Sequence, residues 1–157
     1  MTCGVRPFLK GFLSQWHPSN FSVDGIAFGN AEQFMMYKKA TLFGDGMIAE
    51  KIVAAKHPSD HKRLGQQVRG FIQQDWDANK VEIVHAGNWA KFTQNKGLRK
   101  KLLATGNAIL VEANPKDIIW GVGLAENDPD ITNPDCWRGQ NLLGEILMRV
   151  RAELADD

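Results

Sequence analysis

The dipeptide Asp24-Gly25, set between the runs Phe21-Ser22-Val23 and Ile26-Ala27-Phe28, narrows the choice of fold more than any other feature of this chain. Aspartate followed by glycine supplies the positive φ angles of a tight hairpin loop, and apolar residues flank it on both sides. Residues 21–28 are therefore expected to form a short β-hairpin. The chain must then pass straight from a hairpin into a helix. Asn30 precedes a run of good helix formers that reaches Phe43, and Gln33 follows three residues on, which is the pattern of a capped helix start with Asn30 as N-cap. Gly44-Asp45-Gly46 ends that helix.

The remaining elements follow from the same signals. A second helix is expected from Met47 to Lys56, and Pro58-Ser59-Asp60 opens a short third one that ends near Gly65. From Asp75 to Phe92 the apolar positions Trp76, Val81, Ile83, Val84, Trp89 and Phe92 approximate one buried stripe, with Gly87 as a weak point and a break after Phe92. Leu98 to Thr105 continues as helix, and Gly106 stops it before Ala108–Ala113, whose aliphatic run predicts a buried strand. Asn114-Pro115 breaks the strand. Trp120 to Gly139 is loop, and an amphipathic helix is expected from Asn141 to Leu154. The expected fold class is α+β, predominantly α-helical, in a single compact domain with a small β component.

Composition limits function. A chain of 157 residues with 43% hydrophobic content supports one well-buried core but hardly two independent ones. Lysine and arginine number 19 against 18 aspartates and glutamates, a net charge of +1, so a globally basic nucleic-acid coat or a polybasic membrane binder is excluded and any nucleic-acid contact must be local. Cys3 and Cys136 form neither a metal-ligand spacing nor a disulfide framework. No apolar run approaches the roughly 20 residues that span a bilayer, and the opening residues lack the apolar core of a signal peptide. These features point to a cytoplasmic protein with no membrane partner, the nucleus being an option in a eukaryotic host.

The most informative chemistry lies in Asn30-Ala31-Glu32-Gln33-Phe34-Met35-Met36-Tyr37-Lys38-Lys39-Ala40. Seven helical residues turn through about 700°, only roughly 20° short of two turns, so Glu32 and Lys39 share a face while Lys38 points away. If that face lines a pocket, burial lowers the lysine's proton affinity and frees its amine to attack an aldehyde, with Glu32 moving protons. The competing reading is a solvated ion pair on a surface helix. A second constellation is Asp117-Ile118-Ile119-Trp120-Gly121-Val122-Gly123, in which Trp120 is a candidate to stack on a base or sugar and Asp117 to hold ribose hydroxyls. Gly121 and Gly123 would let a ligand approach the backbone closely; the alternative is a turn with a core tryptophan. In Trp137-Arg138-Gly139-Gln140-Asn141, Arg138 and a helix N-terminus suit a phosphate, or Asn141 caps the helix. The four histidines do not suggest a metal. His57 and His61 have helical spacing, but Pro58 interrupts a continuous helix and no glutamate follows His57. No Gly-x-Ser-x-Gly elbow occurs.

Taken together, these blocks resemble the NADAR family (NAD- and ADP-ribose-associated, also called YbiA-like). The resemblance runs from about Phe12 to Leu154. It is carried by Phe12-Leu13-Ser14-Gln15-Trp16, Phe21 with Asp24-Gly25, Ala31–Met36 with Lys39-Ala40, Phe43-Gly44-Asp45, Gly87-Asn88 with Lys91-Phe92 and Gln94-Asn95, and Leu102–Gly106. Leu110–Ala113, Asp117 with Trp120–Leu124, and Trp137-Arg138-Gly139 with Asn141–Gly144 complete it. On this likeness residues 1–11 are an N-terminal extension and 12–155 the domain. The resemblance implies N-glycosidase activity without a metal or other cofactor, acting on ADP-ribose or phosphoribosyl N-glycosides. Family members are associated with intermediates of riboflavin synthesis and with removal of ADP-ribose from guanine in nucleic acid. It also implies roles: Lys39 captures the anomeric carbon, Glu32 is the acid/base, and Trp120, Asp117, Gly121, Gly123, Arg138 and Asn141 bind substrate. Bacterial relatives often carry asparagine where this chain has Gln15 and arginine where it has Gln66, a cation Arg69 would have to replace. These departures favour ADP-ribosylated guanine, in DNA or RNA, over the riboflavin precursors. A non-catalytic ADP-ribose reader, which needs a pocket but no nucleophile, and a scaffold bundle are the other classes considered.

Overall fold

The computed structural model describes residues 4–157, so Cys3 lies outside the described residues. Those residues form, in order, strands β1 (Val5–Phe8), β2 (Phe21–Val23) and β3 (Ile26–Phe28), and helices α1 (Ala31–Leu42), α2 (Gly46–Ala54), α3 (Pro58–Gly65), α4 (Gln73–Gln94) and α5 (Lys96–Ala104). Strand β4 (Ile109–Glu112), a 3-10 turn (Pro134–Cys136) and helix α6 (Leu142–Ala155) follow. This is the helix-dominated α+β architecture the sequence pattern predicts. The residues group into two units, one of 15–96 and one formed by the residues up to Ser14 together with 97–157.

In the unit of residues 15–96, α1 is the hub, packing on α2, α3, α4 and β3. Its entry is capped as expected: Asn30 Oδ1 accepts from the Gln33 amide at 2.8 Å, and Gln33 Oε1 reaches back to the Gly29 amide at 2.7 Å. The Gln33 Nε2 donates to the carbonyls of Ile52, Val53 and Ala55, tying the start of α1 to the C-terminal end of α2. The hairpin forms with Asp24 and Gly25 at φ 51° and 79° and pairs Phe21 with Phe28 and Val23 with Ile26. Phe28 meets Phe34 edge-on, with ring centroids 5.2 Å apart, and Phe21 stacks on Phe28 at 5.7 Å. Ala90 of α4 closes this cluster. Gly87 does not weaken α4, which runs unbroken through it: a Cβ there would lie 2.6 Å from Phe34 Cδ1, so its bare backbone is what lets α1 and α4 approach.

In the other unit β1 and β4 pair in parallel, Val5 opposite Ile109 and Phe8 opposite Glu112. Helix α6 packs on β4. Val111, Ala113, Val122, Leu124 and Ile131 form the core of this unit, with Val5, Ile109 and Trp137 packed against it. Strand β1 lies within the stretch set apart above as an N-terminal extension. Its four residues, one of them Pro7, carry no alternation that would announce a strand. Among the described residues no helix is long and apolar enough to cross a membrane.

Candidate functional site

Helix α1 carries Glu32 and Lys39 on the face that the helical arithmetic predicts, and their surroundings decide between the solvated-pair and pocket readings. Glu32 is only 6% exposed and Lys39 is half-buried, so this is no solvated surface pair. The Lys39 ammonium faces two rings, with Nζ 4.7 Å from the Phe71 centroid and 5.8 Å from that of Trp76. Phe43 packs edge-on against Phe71 at 5.3 Å. Burial pushes the Lys39 amine below the usual lysine range, overcoming the negative charge of Glu32, which favours the ammonium. The result is an amine partly stripped of water and within the field of a buried carboxylate.

The ring over Lys39 arrives from a loop that one carboxylate pins down. Asp45 caps α2 by accepting from the Ile48 amide at 3.2 Å, and its Oδ2 also accepts the Arg69 amide at 2.9 Å. The Arg69 guanidinium closes the pair through Nε at 3.4 Å and Nη2 at 3.2 Å. These bonds, the side-chain bond from Arg69 first among them, hold the Asp45 carboxyl down to about 2. Gly70 then turns the chain at φ 76° and delivers Phe71. Arg69 itself is engaged by Asp45, although its side chain stays 72% exposed. Glu32 is braced from its backbone, its amide donating to the Gln15 carbonyl at 3.0 Å, and the Gln15 side chain accepts from Asn88 at 2.8 Å.

A second lysine in this unit competes for the role of nucleophile. Lys91 of α4 is 0% exposed, and burial pushes its amine down to about 7. Its seclusion argues against attack on a substrate carbon, whereas half-buried Lys39 retains a route to one. His61 is also buried; its Nε2 lies 2.8 Å from the Ala55 carbonyl, which assigns the proton to that nitrogen and leaves Nδ1 to accept from Asn30. Among the described residues no cluster of three or more His, Cys, Asp or Glu could hold a metal.

The remaining candidates, Asp117, Trp120, Gly121, Gly123, Arg138 and Asn141, lie in the unit that includes residues 97–157, where the chain ties them into one knot. Asp117 Oδ1 accepts the amides of Ile119 and Trp120, both at 2.9 Å, an Asx turn. The amides of Asn141, Leu142 and Leu143 at the start of α6 donate to the carbonyls of Gly121, Ile119 and Trp120. These are the backbone donors considered above for a phosphate, and the protein itself takes them up. Asn141 stands at the N-cap position but makes no side-chain capping bond. It is instead buried against β4, accepting from the Glu112 amide at 3.0 Å and donating to the Leu110 carbonyl at 2.9 Å. A Cβ on Gly121 would sit 2.8 Å from the Glu112 carbonyl, and Gly123 adopts φ 73°, so packing and turn geometry account for both glycines. Among these candidates Arg138 is exposed, whereas Trp120 and Asp117 are half-buried.

The family model of the NADAR domain matches residues 6–155. The chain belongs to the NADAR family. This NADAR chain is 45% identical over 146 residues to an N-glycosidase of Acanthamoeba polyphaga mimivirus, covering 90% of this chain and 86% of that one. It is 33% identical to a riboflavin biosynthesis protein of Vibrio vulnificus, covering 93% of this chain but 36% of that larger protein. The NMR structure of the E. coli protein YbiA superposes with a TM-score of 0.82 at 28% identity, covering 99% of this chain and 88% of that one. The relatives support N-glycosidase activity for this NADAR chain. Helical spacing brings Lys39 and Glu32 to one face, but it gives no sign of Phe71 and Trp76 beside Lys39 or of Asp45 behind them. Trp76 reads only as core and Asp45 only as part of a helix stop, and nothing local marks Phe71. Lys91 did leave a signal, since it lies seven residues from buried Val84, on the same face of α4.

Proposed function

We propose that this chain removes ADP-ribose from guanine in nucleic acid through a Schiff base on Lys39, with Glu32 as the acid/base. The observation that carries this reading is the Lys39 amine, half-buried beneath Phe71 and Trp76 with its proton affinity lowered by burial, on one helix face with buried Glu32. An N-glycosidase needs no nucleophilic amine if water attacks directly; an amine whose proton is cheaper to remove is what covalent capture needs.

The steps balance without a metal or a redox partner. The Lys39 ammonium first passes a proton to the Glu32 carboxylate, which leaves the amine neutral; protonated Glu32 then gives that proton to the departing base as the glycosidic bond breaks, and the bond electrons stay with the base nitrogen. The neutral Lys39 nitrogen donates its lone pair to the anomeric carbon, and Glu32, now a carboxylate, takes a proton from that nitrogen. The ring C–O bond then opens. Its electrons go to the ring oxygen, which takes the proton back from Glu32, and the lysine nitrogen and anomeric carbon become an iminium. Water adds to that carbon, its two protons pass to the lysine nitrogen, which leaves as the resting ammonium, and the sugar is released as an aldehyde that recloses.

Guanine is preferred over a riboflavin precursor because of the departures at Gln15 and Gln66, and residue 15 adjoins the acid/base residue, its backbone carbonyl accepting the Glu32 amide. The choice between DNA and RNA rests with the substrate tested. Incubation with an oligonucleotide carrying ADP-ribosylated guanine, followed by borohydride and peptide mass analysis, is the deciding experiment. A sugar adduct on Lys39 together with loss of the modification supports the whole reading. An adduct on Lys91, or release without any adduct, overturns the role of Lys39. No release from guanine, with turnover of a phosphoribosyl N-glycoside, moves the substrate to the riboflavin precursors. Lys39→Ala is expected to abolish turnover while the protein remains folded.

A further inference from the structure

We propose that Phe71 is itself a catalytic residue of the Lys39 site, its ring stabilising the positive charge that the lysine nitrogen carries as an iminium. The inference rests on the function proposed above and extends it to a residue from outside α1. The argument begins with charge. The Lys39 nitrogen is a cation twice, as the resting ammonium and as the iminium, and between these it must become neutral to attack. Glu32 on the same helix face already favours the cation, and a second carboxylate placed against the nitrogen would hold the proton on; bulk hydrocarbon would free the amine but add no support for the iminium. An aromatic ring does both in moderation, because its bulk excludes water while the negative face of its quadrupole attracts a cation within about 6 Å of the centroid.

Phe71 meets that description. Its centroid is 4.7 Å from Lys39 Nζ, and the residue is 39% exposed, so the ring is not shut away in the core. It is held nonetheless. Phe43 meets it edge-on at 5.3 Å and 63°, and the backbone before it is pinned by the bonds from Arg69 to Asp45. Trp76, the second ring near Nζ, is 8% exposed and lies farther off at 5.8 Å, so it forms a fixed wall while Phe71 retains an open side toward solvent and substrate.

The bulk and the quadrupole of Phe71 act on Lys39 with opposite signs, and substitution separates them. Phe71→Leu keeps most of the bulk and loses the quadrupole, Phe71→Ala loses both, and Phe71→Tyr keeps both. The first readout needs no substrate: acetic anhydride labelling of Lys39 across pH, followed by peptide mass, gives the midpoint at which the amine becomes reactive. In Phe71→Leu the midpoint is expected to fall by about half to one pH unit, because the ammonium loses its ring while staying shielded from water. Phe71→Tyr should restore it, and Phe71→Ala, which readmits water, should raise it above the Leu value. The second readout is release of ADP-ribose from guanine at one fixed pH above both midpoints, where the amine is free in wild type and variant alike and the shared scarcity of the Glu32 proton cancels from the ratio. There kcat of Phe71→Leu is expected to fall roughly 3- to 10-fold with KM within about twofold. A midpoint in Phe71→Leu equal to or above the wild-type value overturns the proposal, and so does an unchanged kcat at that fixed pH. If the wild-type protein releases nothing from guanine, the proposed substrate fails, while the labelling midpoint still decides whether Phe71 supports a cation at Lys39.

Discussion

Replacing Gly87 with alanine sets two effects of known size against each other. In the middle of α4 the change gains helix propensity, worth up to about 1 kcal/mol. Against that stands a single close approach: the added methyl would lie 2.6 Å from Phe34 Cδ1 and 3.2 Å from Cε1. Carbon atoms in good contact are about 3.5–4.0 Å apart, so the ring would have to retreat by about 1 Å. It has nowhere to go, because Phe28 meets it edge-on at 5.2 Å and Phe21 at 6.1 Å, and Phe34 is only 2% exposed. Overpacking of this kind typically costs about 1–3 kcal/mol, and with a propensity gain of about 1 kcal/mol subtracted a net loss of up to about 2 kcal/mol remains. For a chain of this size that is a melting temperature lower by up to about 8 °C. Gly97 of α5 has nothing within 4 Å of its would-be Cβ, so Gly97→Ala carries the propensity effect without the clash and serves as the control. Urea denaturation of both variants, followed by tryptophan fluorescence, measures the difference. If Gly87→Ala proved as stable as Gly97→Ala, the close approach of α1 to α4 would not be what the glycine is for.

Three further outcomes are expected. Glu32→Gln removes the charge that favours the Lys39 ammonium, so the midpoint for Lys39 labelling should move down, and an upward shift would contradict the sign found here. The Asp45 carboxyl is held at about 2 in the folded protein against 3.8 for an ordinary aspartate, so its contribution is fully present above pH 3.8 and is lost as pH falls through 2; urea midpoints between pH 5 and 2 should therefore fall more steeply for the wild type than for Asp45→Asn. Asn141→Ala leaves the Leu110 carbonyl and the Glu112 amide without their partner, at about 1–3 kcal/mol for each group left unsatisfied; calorimetry should show a large drop in melting temperature, whereas a variant that melts normally but binds ADP-ribose poorly would restore Asn141 as a ligand residue.

Sequence reasoning succeeded where the deciding interaction is local. The hairpin rests on two positive φ angles at Asp24 and Gly25, and the start of α1 on an asparagine and a glutamine three residues apart, so both lie within reach of a short window. The shared face of Glu32 and Lys39 follows from the same short-range geometry. It failed where the partner is distant or the side chain is missing. Gly87 looked like a flaw because propensity sees only the helix it sits in, not the Phe34 ring it admits. Asn141 has the chemistry of a cap or a phosphate ligand, and only the structure shows both of its amide atoms turned to β4. Phe71 reaches Lys39 through a chain of contacts from Asp45 to Arg69 that no spacing encodes.

The parallel pairing of β1 with β4 bears on how the chain is made. Those strands stand at positions 5–8 and 109–112, so their registration waits for about a hundred intervening residues. Closing a flexible loop of that length costs of order 4 kcal/mol in chain entropy. The cost shrinks if residues 15–96, a continuous stretch that forms one of the two units, have already condensed and shortened the effective loop. During synthesis from the N-terminus this stretch is complete before β4 exists, and β1 must remain unpaired until then. The helix that bears Glu32 and Lys39 thus belongs to the early-made part of the protein, and the strand pair is a late closure whose edge stays open to misassociation while the ribosome finishes.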